Sequence, residues 1–456
     1  MDWVPTLSEW QGPAFLRIVD ALTADIASGR LVRGQRLPTH RALATALDLD
    51  LTTVTRAYGE ARRRGLLEAR VGQGTFVSET TARAASDLPI PANIDLSMNL
   101  PPQPVEANLD QRIAQGLAAI RTAAGFSAFL SYSRPGGSID EREAAAAWLE
   151  LPNVEPGRIV IFPGSQAIIF NAFLALASPG DVVLTEALTF PGAIAAARRL
   201  NIRLVGVAMD GEGARPDALD DAIRKHAPKA VYLVPTQQNP TTATMSAGRR
   251  RAIADVIRRR NTLLIEDDVY GPLEPQLAPI ATLIPERTYY AASLAKCIAP
   301  ALRVAYLLAP DSAAEAKMRG GLQATMQMPP SLMVALVTHW LRSGVANEII
   351  KAIRNEASAR QQLASRFLKG VTYVSRPASH HLWVPLPKHL DGANLIAHLL
   401  RNGLAVVGED AFAVDETAPR GIRVSLGAAR NRADLSHALQ VLAQAVKTPV
   451  EAMQIV

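Results

Sequence analysis

At 456 residues the chain is longer than a single hydrophobic core serves, so two or three domains are expected. Hydrophobic residues make up 48% and charged residues 20%, a globular composition that excludes a disordered or fibrous chain. The single cysteine, Cys297, excludes an intrachain disulfide. No apolar run is long enough for a membrane span, and the stretch from Met1 to Pro5 lacks the basic and apolar regions of a signal peptide. A soluble cytoplasmic protein is therefore expected. The net charge of +6 says little until its location is known.

In chain order, Phe15, Leu16, Val19, Leu22 and Ile26 fall at helical spacing. Thr39 can cap a short second helix carrying Leu43 and Leu47. Thr52 can cap a third with Val54, Ala57, Tyr58 and Ala61 on its inner face. Residues 66–70 and 75–78 read as two strands around a glycine-containing turn that ends at Gly74. Three helices and a hairpin make a winged helix-turn-helix over 1–78. Between Arg33 and Arg70 lie eight arginines, no lysine and four acids. Arginine grips phosphate and reads guanine through a bidentate fork. Residues at the start of the third helix would meet base edges, and Gly74 would let the wing approach a groove.

Residues 79–104 are rich in Thr, Ala, Ser and Pro and read as a linker, with an extended arm starting at Ile94. From 105 to 334, apolar runs at 159–162, 182–185, 204–207, 230–234 and 263–265 alternate with helical patterns at 167–177, 192–199, 218–226 and 247–260. This predicts an α/β domain with a mainly parallel sheet. Ligand-contacting residues in such sheets lie just past the strand ends. The polar clusters 164–166, 235–240 and 266–270 fall there. Lys296 lies between the apolar runs 288–292 and 304–309, with Ser293 three positions before it and Arg303 seven after. A desolvated lysine has a lowered pKa and is a usable amine nucleophile, and the hydroxyl and guanidinium suit a phosphate. Taken alone, the pattern fits a lysine in a surface turn better. Residues 335–456 read as a smaller α+β domain, with strands at 381–386, 405–407 and 422–426 and a last helix at 435–446.

Two resemblances sharpen this reading. The segment containing Gly34-Gln-Arg-Leu-Pro-Thr39, then Thr53-Val-Thr-Arg-Ala-Tyr58, Gly65-Leu-Leu-Glu68 and Gly72-Gln-Gly-Thr-Phe-Val77 resembles the GntR-type DNA-binding domain. That resemblance implies DNA contacts from Arg36, Thr39, Arg41, Thr53, Thr55, Arg56 and Gly74. His40 stands where the family often has Ser. The larger part resembles fold-type I pyridoxal phosphate (PLP) enzymes of the aspartate aminotransferase group. By that resemblance Lys296 forms the internal aldimine and Asp267 pairs with the pyridine nitrogen. Asn239 and Tyr270 bond the phenolic oxygen, and Phe190 stacks on the ring where relatives usually have Tyr. Ser165, Gln166, Ser293 and Arg303 would hold the phosphate. Tyr132 matches a residue that reaches the partner subunit's phosphate, which implies a homodimer. Arg423 matches the clamp for a substrate α-carboxylate. Ala301, Ala305 and Thr242 depart from the family pattern without removing a chemical group.

The fusion as a whole resembles the MocR group of transcription regulators. Its implied fold is a winged helix-turn-helix plus an α/β type I PLP transferase fold with a smaller α+β domain. Its implied function is a DNA-binding regulator that senses an amino acid, an amine or PLP itself through Lys296. An active aminotransferase with an appended DNA-binding domain stays open, as does a DNA-binding protein whose large domain is cofactor-free.

Overall fold

The computed structural model describes residues 3–7, 13–27, 30–32, 34–63, 66–70, 74–77, 94–387, 390–415 and 418–447. Arg33, Gly65, the turn residues 71–73 and residues 79–93 of the expected linker lie outside that set. The chain divides into two compact units, Met1–Pro91 and Ala92–Val456.

In the first unit α1 is Ala14–Ala27, α2 His40–Leu47 and α3 Leu51–Arg63; β1, Leu67–Arg70, pairs antiparallel with β2, Gly74–Val77. Thr39 caps α2 as its position suggests, accepting from the Ala42 N–H at 3.2 Å. Thr52 does not cap α3. Asp50 accepts from the Thr52 N–H at 2.7 Å and from its hydroxyl at 2.5 Å, because a carboxylate is a stronger acceptor for orphan helix donors than a hydroxyl. Ile18, Val19 and Leu22 of α1 pack in one core with Val54, Ala57, Tyr58 and Ala61 of α3. These are the α3 residues whose spacing marks them as inward.

The second unit is built on a sheet that has seven strands among the described residues. In chain order they are β3 Ile159–Phe162, β4 Val182–Glu186, β5 Arg203–Val207, β6 Ala230–Leu233, β7 Leu264–Asp267, β8 Thr288–Ser293 and β9 Ala305–Leu308. Their order across the sheet is β3-β9-β8-β7-β6-β4-β5. Only β9 runs antiparallel to its neighbours, which lets the chain turn straight back after Lys296. The helices α4, Ser165–Leu176, and α5, Pro191–Arg199, follow β3 and β4.

One boundary differs in a way that matters. The apolar run 263–265 predicts a strand ending before Glu266, yet β7 continues through Asp267. Donors compensate both oxygens of Glu266 and one oxygen of Asp267. Glu266 accepts from the Ile280 and Ala281 N–H groups at 2.8 and 2.7 Å, and Asp267 from the Tyr232 hydroxyl at 2.6 Å.

A long helix, α6, Val345–Phe367, joins two cores. Ile349 and Ile353 pack in the core around the sheet, and so do Val334, Leu336 and Trp340 from the helix before it. Ala364, near the far end of α6, packs in the second core. That core covers a small sheet, β10 Leu382–Pro385, β11 Val407–Gly408 and β12 Gly421–Val424, in the order β10-β12-β11. The expected strand 405–407 is broken at Val406, and its first part, Leu404–Ala405, pairs instead with the arm at Ile94–Asp95. No helix of the described residues is long and apolar enough to cross a membrane.

Candidate functional site

Four strand ends and the arm converge on Lys296. Its Nζ donates to the Asn99 carbonyl at 2.5 Å. Burial lowers its pKa to about 8, the nearby Arg423 charge adds to that, and Asp267 opposes it. A neutral amine is therefore within reach of physiological pH. Asp267 ends β7. Burial raises its pKa to about 6, against the Tyr232 hydrogen bond. Its Oδ2 holds the Tyr232 hydroxyl, while Oδ1 is buried with no hydrogen-bond partner among the described residues.

Tyr270 is buried three residues past β7, and its hydroxyl accepts from Asn99 Nδ2 at 2.8 Å. Asn239 is buried after β6, and its Oδ1 accepts from Arg423 Nη1 at 2.8 Å. Arg423 lies on β12, also donates from Nη2 to the Ser97 carbonyl, and stacks 4.9 Å from the Phe412 ring centroid. Burial lowers its pKa to about 10, so the guanidinium stays charged at neutral pH.

A second group forms at the starts of α4 and α5. Ser165 and Gln166 open α4 behind Gly164, whose φ of +98° few other residues adopt. Arg303 donates to the Pro163 carbonyl at 2.7 Å and covers Gly164 so closely that a Cβ there would lie 2.5 Å from Nη2. Gln166 donates to the Gly192 carbonyl at 2.8 Å, and a Cβ on Gly192 would lie 2.3 Å from the Phe190 ring. Phe190 and Gln166 thus meet at Gly192, and Arg303 covers the residue just before Ser165. The free N–H groups of a helix start beside a guanidinium suit an anion. Ser293 ends β8, and its Oγ accepts from the Ala295 N–H at 3.1 Å. Tyr132 stands apart, 83% exposed.

Sequence reasoning missed Asn99, Ser97, Tyr232, His380 and His381. Asn99 bonds Tyr270, Lys296 and, at 3.1 Å, His381 Nδ1. His381 Nε2 lies 3.3 Å from the Gln238 carbonyl, and His380 Nε2 lies 2.5 Å from the Lys296 carbonyl. Burial lowers both imidazole pKa values, that of His380 to about 4, so both rings are neutral at pH 7. The arm at 94–102 was legible as extended chain, but nothing in its spacing signals a site.

In the first unit Arg36, Thr39, Arg41, Thr55, Arg56 and Gly74 are exposed and Thr53 is half-buried. Arg56 stacks 4.0 Å over Phe15, and Arg36 lies against Gly74. His40 packs edge-on to Tyr58 at 4.7 Å, with Nδ1 3.4 Å from the Thr55 hydroxyl.

The family model for aminotransferase class I and II matches residues 92–442. The chain belongs to that family. The model for bacterial regulatory proteins of the gntR family matches residues 15–77, so this aminotransferase-family chain has the MocR layout, a GntR-type helix-turn-helix fused to an aminotransferase domain. An HTH-type transcriptional regulator of Bacillus subtilis is 29% identical, covering 97% of this chain and 96% of its own length. The vitamin B6 salvage pathway transcriptional repressor of Salmonella typhimurium is 28% identical, over 90% of this chain and 93% of its own. Among solved structures, the α-aminoadipate aminotransferase of Thermus thermophilus, complexed with N-(5'-phosphopyridoxyl)-L-leucine, is 25% identical. It covers 86% of this chain and 98% of its own, with a TM-score of 0.71. The MocR layout therefore extends along the whole chain, and the aminotransferase part has a fold seen with a PLP derivative bound.

Proposed function

We propose that the chain is a PLP-dependent transcription regulator whose aminotransferase-like domain senses an amino acid or amine. The observation that carries this reading is the set of groups around Lys296. A desolvated lysine, a buried carboxylate with one oxygen unpartnered and a buried arginine converge in a chain that begins with a GntR-type segment. The residues fit PLP. Asp267 Oδ1 is a buried acceptor lacking a donor, as a pyridinium N–H requires, and the Gly164–Arg303 contact leaves a helix start facing a guanidinium. Bound there, PLP would supply an electrophilic carbon and an electron sink for amine chemistry.

In this reading Lys296 anchors the cofactor, Asp267 keeps its ring nitrogen protonated, and Asn239 and Tyr270 hold its phenolic oxygen. Phe190 covers the ring. Ser165, Gln166, Ser293 and Arg303 hold the phosphate, and Tyr132 serves the partner's site in a homodimer. Arg423 binds the carboxylate of the effector, which favours an amino acid over a plain amine. The domain division that accompanies this reading is a winged helix over 1–78, linker and arm over 79–104, the large domain over 105–334 and the small one over 335–456.

The arm supports a sensing role. Ser97 and Asn99 present their carbonyls to Arg423 and Lys296, and the arm directly follows the segment that joins the two units. A carboxylate arriving at Arg423 competes with Ser97, and a change at Lys296 competes with Asn99. Effector binding then biases the arm between two states, as a switch requires.

The rival is a working aminotransferase, since no group needed for turnover is absent. An absorbance titration of the PLP-loaded protein with the twenty protein amino acids, with and without a keto acid, separates the two. A stable spectral change with one amino acid and no new keto acid supports a sensor. Stoichiometric amino-group transfer to the keto acid overturns it in favour of an enzyme.

A further inference from the structure

A cavity of about 1000 Å³ opens on the second unit, bordering the site just described at Asp268 and Gly271. Neither Lys296 nor Asn239 nor Arg423 lines it. One wall is a face of α6. Asn347, Lys351, Arg354 and Ser358 recur at spacings of four, three and four, so they project to the same side. Among the described residues, Lys351 and Arg354 make no ion pair and no side-chain hydrogen bond, whereas Arg360 on the same helix pairs with Glu356 at 2.8 Å. The proline-rich turn 271–279 after Tyr270 also lines it, as does Arg376, 3.6 Å from Glu274. Trp148 and Leu151 give the cavity an apolar side.

The acids lining the cavity do not neutralise these two cations. Glu274 already accepts from Gln237 Nε2 at 3.1 Å and Gln276 Nε2 at 2.6 Å, with Arg376 Nε 3.6 Å away. Asp268 accepts from the Thr236 hydroxyl at 2.5 Å and the Tyr290 hydroxyl at 3.2 Å. Glu150 is exposed to water. Lys351 and Arg354 together offer several N–H donors with no acceptor. They face a cavity of metabolite size that also has an apolar side.

We propose that this cavity is a second ligand site, for a small organic anion that carries a phosphate or carboxylate on an apolar body. Lys351 and Arg354 bind the anionic group, and the Trp148–Leu151 side takes the apolar part. This goes beyond the sensing site at Lys296 and has a direct mechanical link to it. Asp268 is the residue after Asp267. Glu274 fixes the side chain of Gln237, two residues before Asn239. A ligand drawing α6 toward the 271–279 turn therefore acts on the elements that carry the proposed cofactor contacts, and reciprocal coupling between the sites follows.

The test is calorimetric titration of the full-length PLP-loaded protein, whose phosphate-holding residues are then engaged, with phenyl phosphate and with cyclohexyl phosphate, neither of which carries the carboxylate that Arg423 is proposed to bind. The expected result is saturable binding of at least one probe at one equivalent per chain. In the double variant Lys351→Glu with Arg354→Glu that affinity should fall at least about tenfold, the scale of losing one charged hydrogen bond. Asn355→Trp fills the cavity from an exposed helical position without removing a cation, and it should weaken binding similarly. Visible absorbance should stay unchanged in both variants, which shows that the cofactor site is intact. No saturable binding of either probe, or binding undiminished by both variants, overturns the proposal and leaves the reading of the Lys296 site untouched.

Discussion

The two oxygens of Asp267 have different fates. Oδ2 is held by Tyr232, and Oδ1 is buried without a donor among the described residues, an arrangement that costs stability unless something else supplies the proton. Asp267→Asn removes the charge that a protonated ring nitrogen needs. Cofactor affinity, read by equilibrium dialysis, should fall by about ten- to a hundredfold, the range for a hydrogen bond to a charged group. Lys296 gives a second prediction. Its lowered pKa of about 8 means that its neutral fraction rises tenfold per pH unit up to about pH 8 and then levels. Site-resolved labelling of the cofactor-free protein with an amine-directed acylating reagent should plateau above that pH. A rate still climbing at pH 10 would mean that the lysine is unperturbed. Lys296, Asp267 and Asn239 were legible because each lies just past or at the end of an apolar run, and Arg423 because its surroundings resemble the family's carboxylate clamp. Asn99 and His381 were not, because they lie 282 positions apart and acquire a joint role only by packing.

Turns and strand ends set the local geometry, and here the sequence is legible in part. The parallel order of β4 to β8 follows from apolar runs alternating with helical patterns. The end of β7 does not, because Glu266 and Asp267 interrupt the apolar pattern and accept from donors on distant residues. The antiparallel direction of β9 is likewise invisible in composition. Gly164 tests the start of α4. Its φ of +98° and the approach of Arg303 leave no room for a methyl group. Gly164→Ala should destabilise the second unit by about 1–3 kcal/mol, the usual cost of a strained backbone position. It should weaken PLP retention more than Gly180→Ala, a control at which φ is also positive but a Cβ meets no atom within 4 Å. Thermal unfolding and dialysis read the two effects separately.

Across the whole molecule, a DNA-binding unit is carried by a chain whose larger part has a ligand-binding fold. The first unit places Arg36, Arg41 and Arg56 at the surface with an excess of arginine over acid, a charge balance suited to phosphate. Arg56→Ala should weaken binding to an operator selected from random duplex DNA about tenfold, within the range for one lost base-reading contact, and leave PLP absorbance intact. Unchanged affinity would move the recognition surface elsewhere. Control of the other unit by chemistry at Lys296 is the core of the proposed function. It is tested most directly by measuring DNA affinity for the wild type and Lys296→Ala across the same panel of amino acids. The expected result is a shift of about five- to 150-fold with one amino acid in the wild type, the usual range of allosteric coupling, and no shift in Lys296→Ala with DNA binding retained. A shift that persists in Lys296→Ala would contradict it.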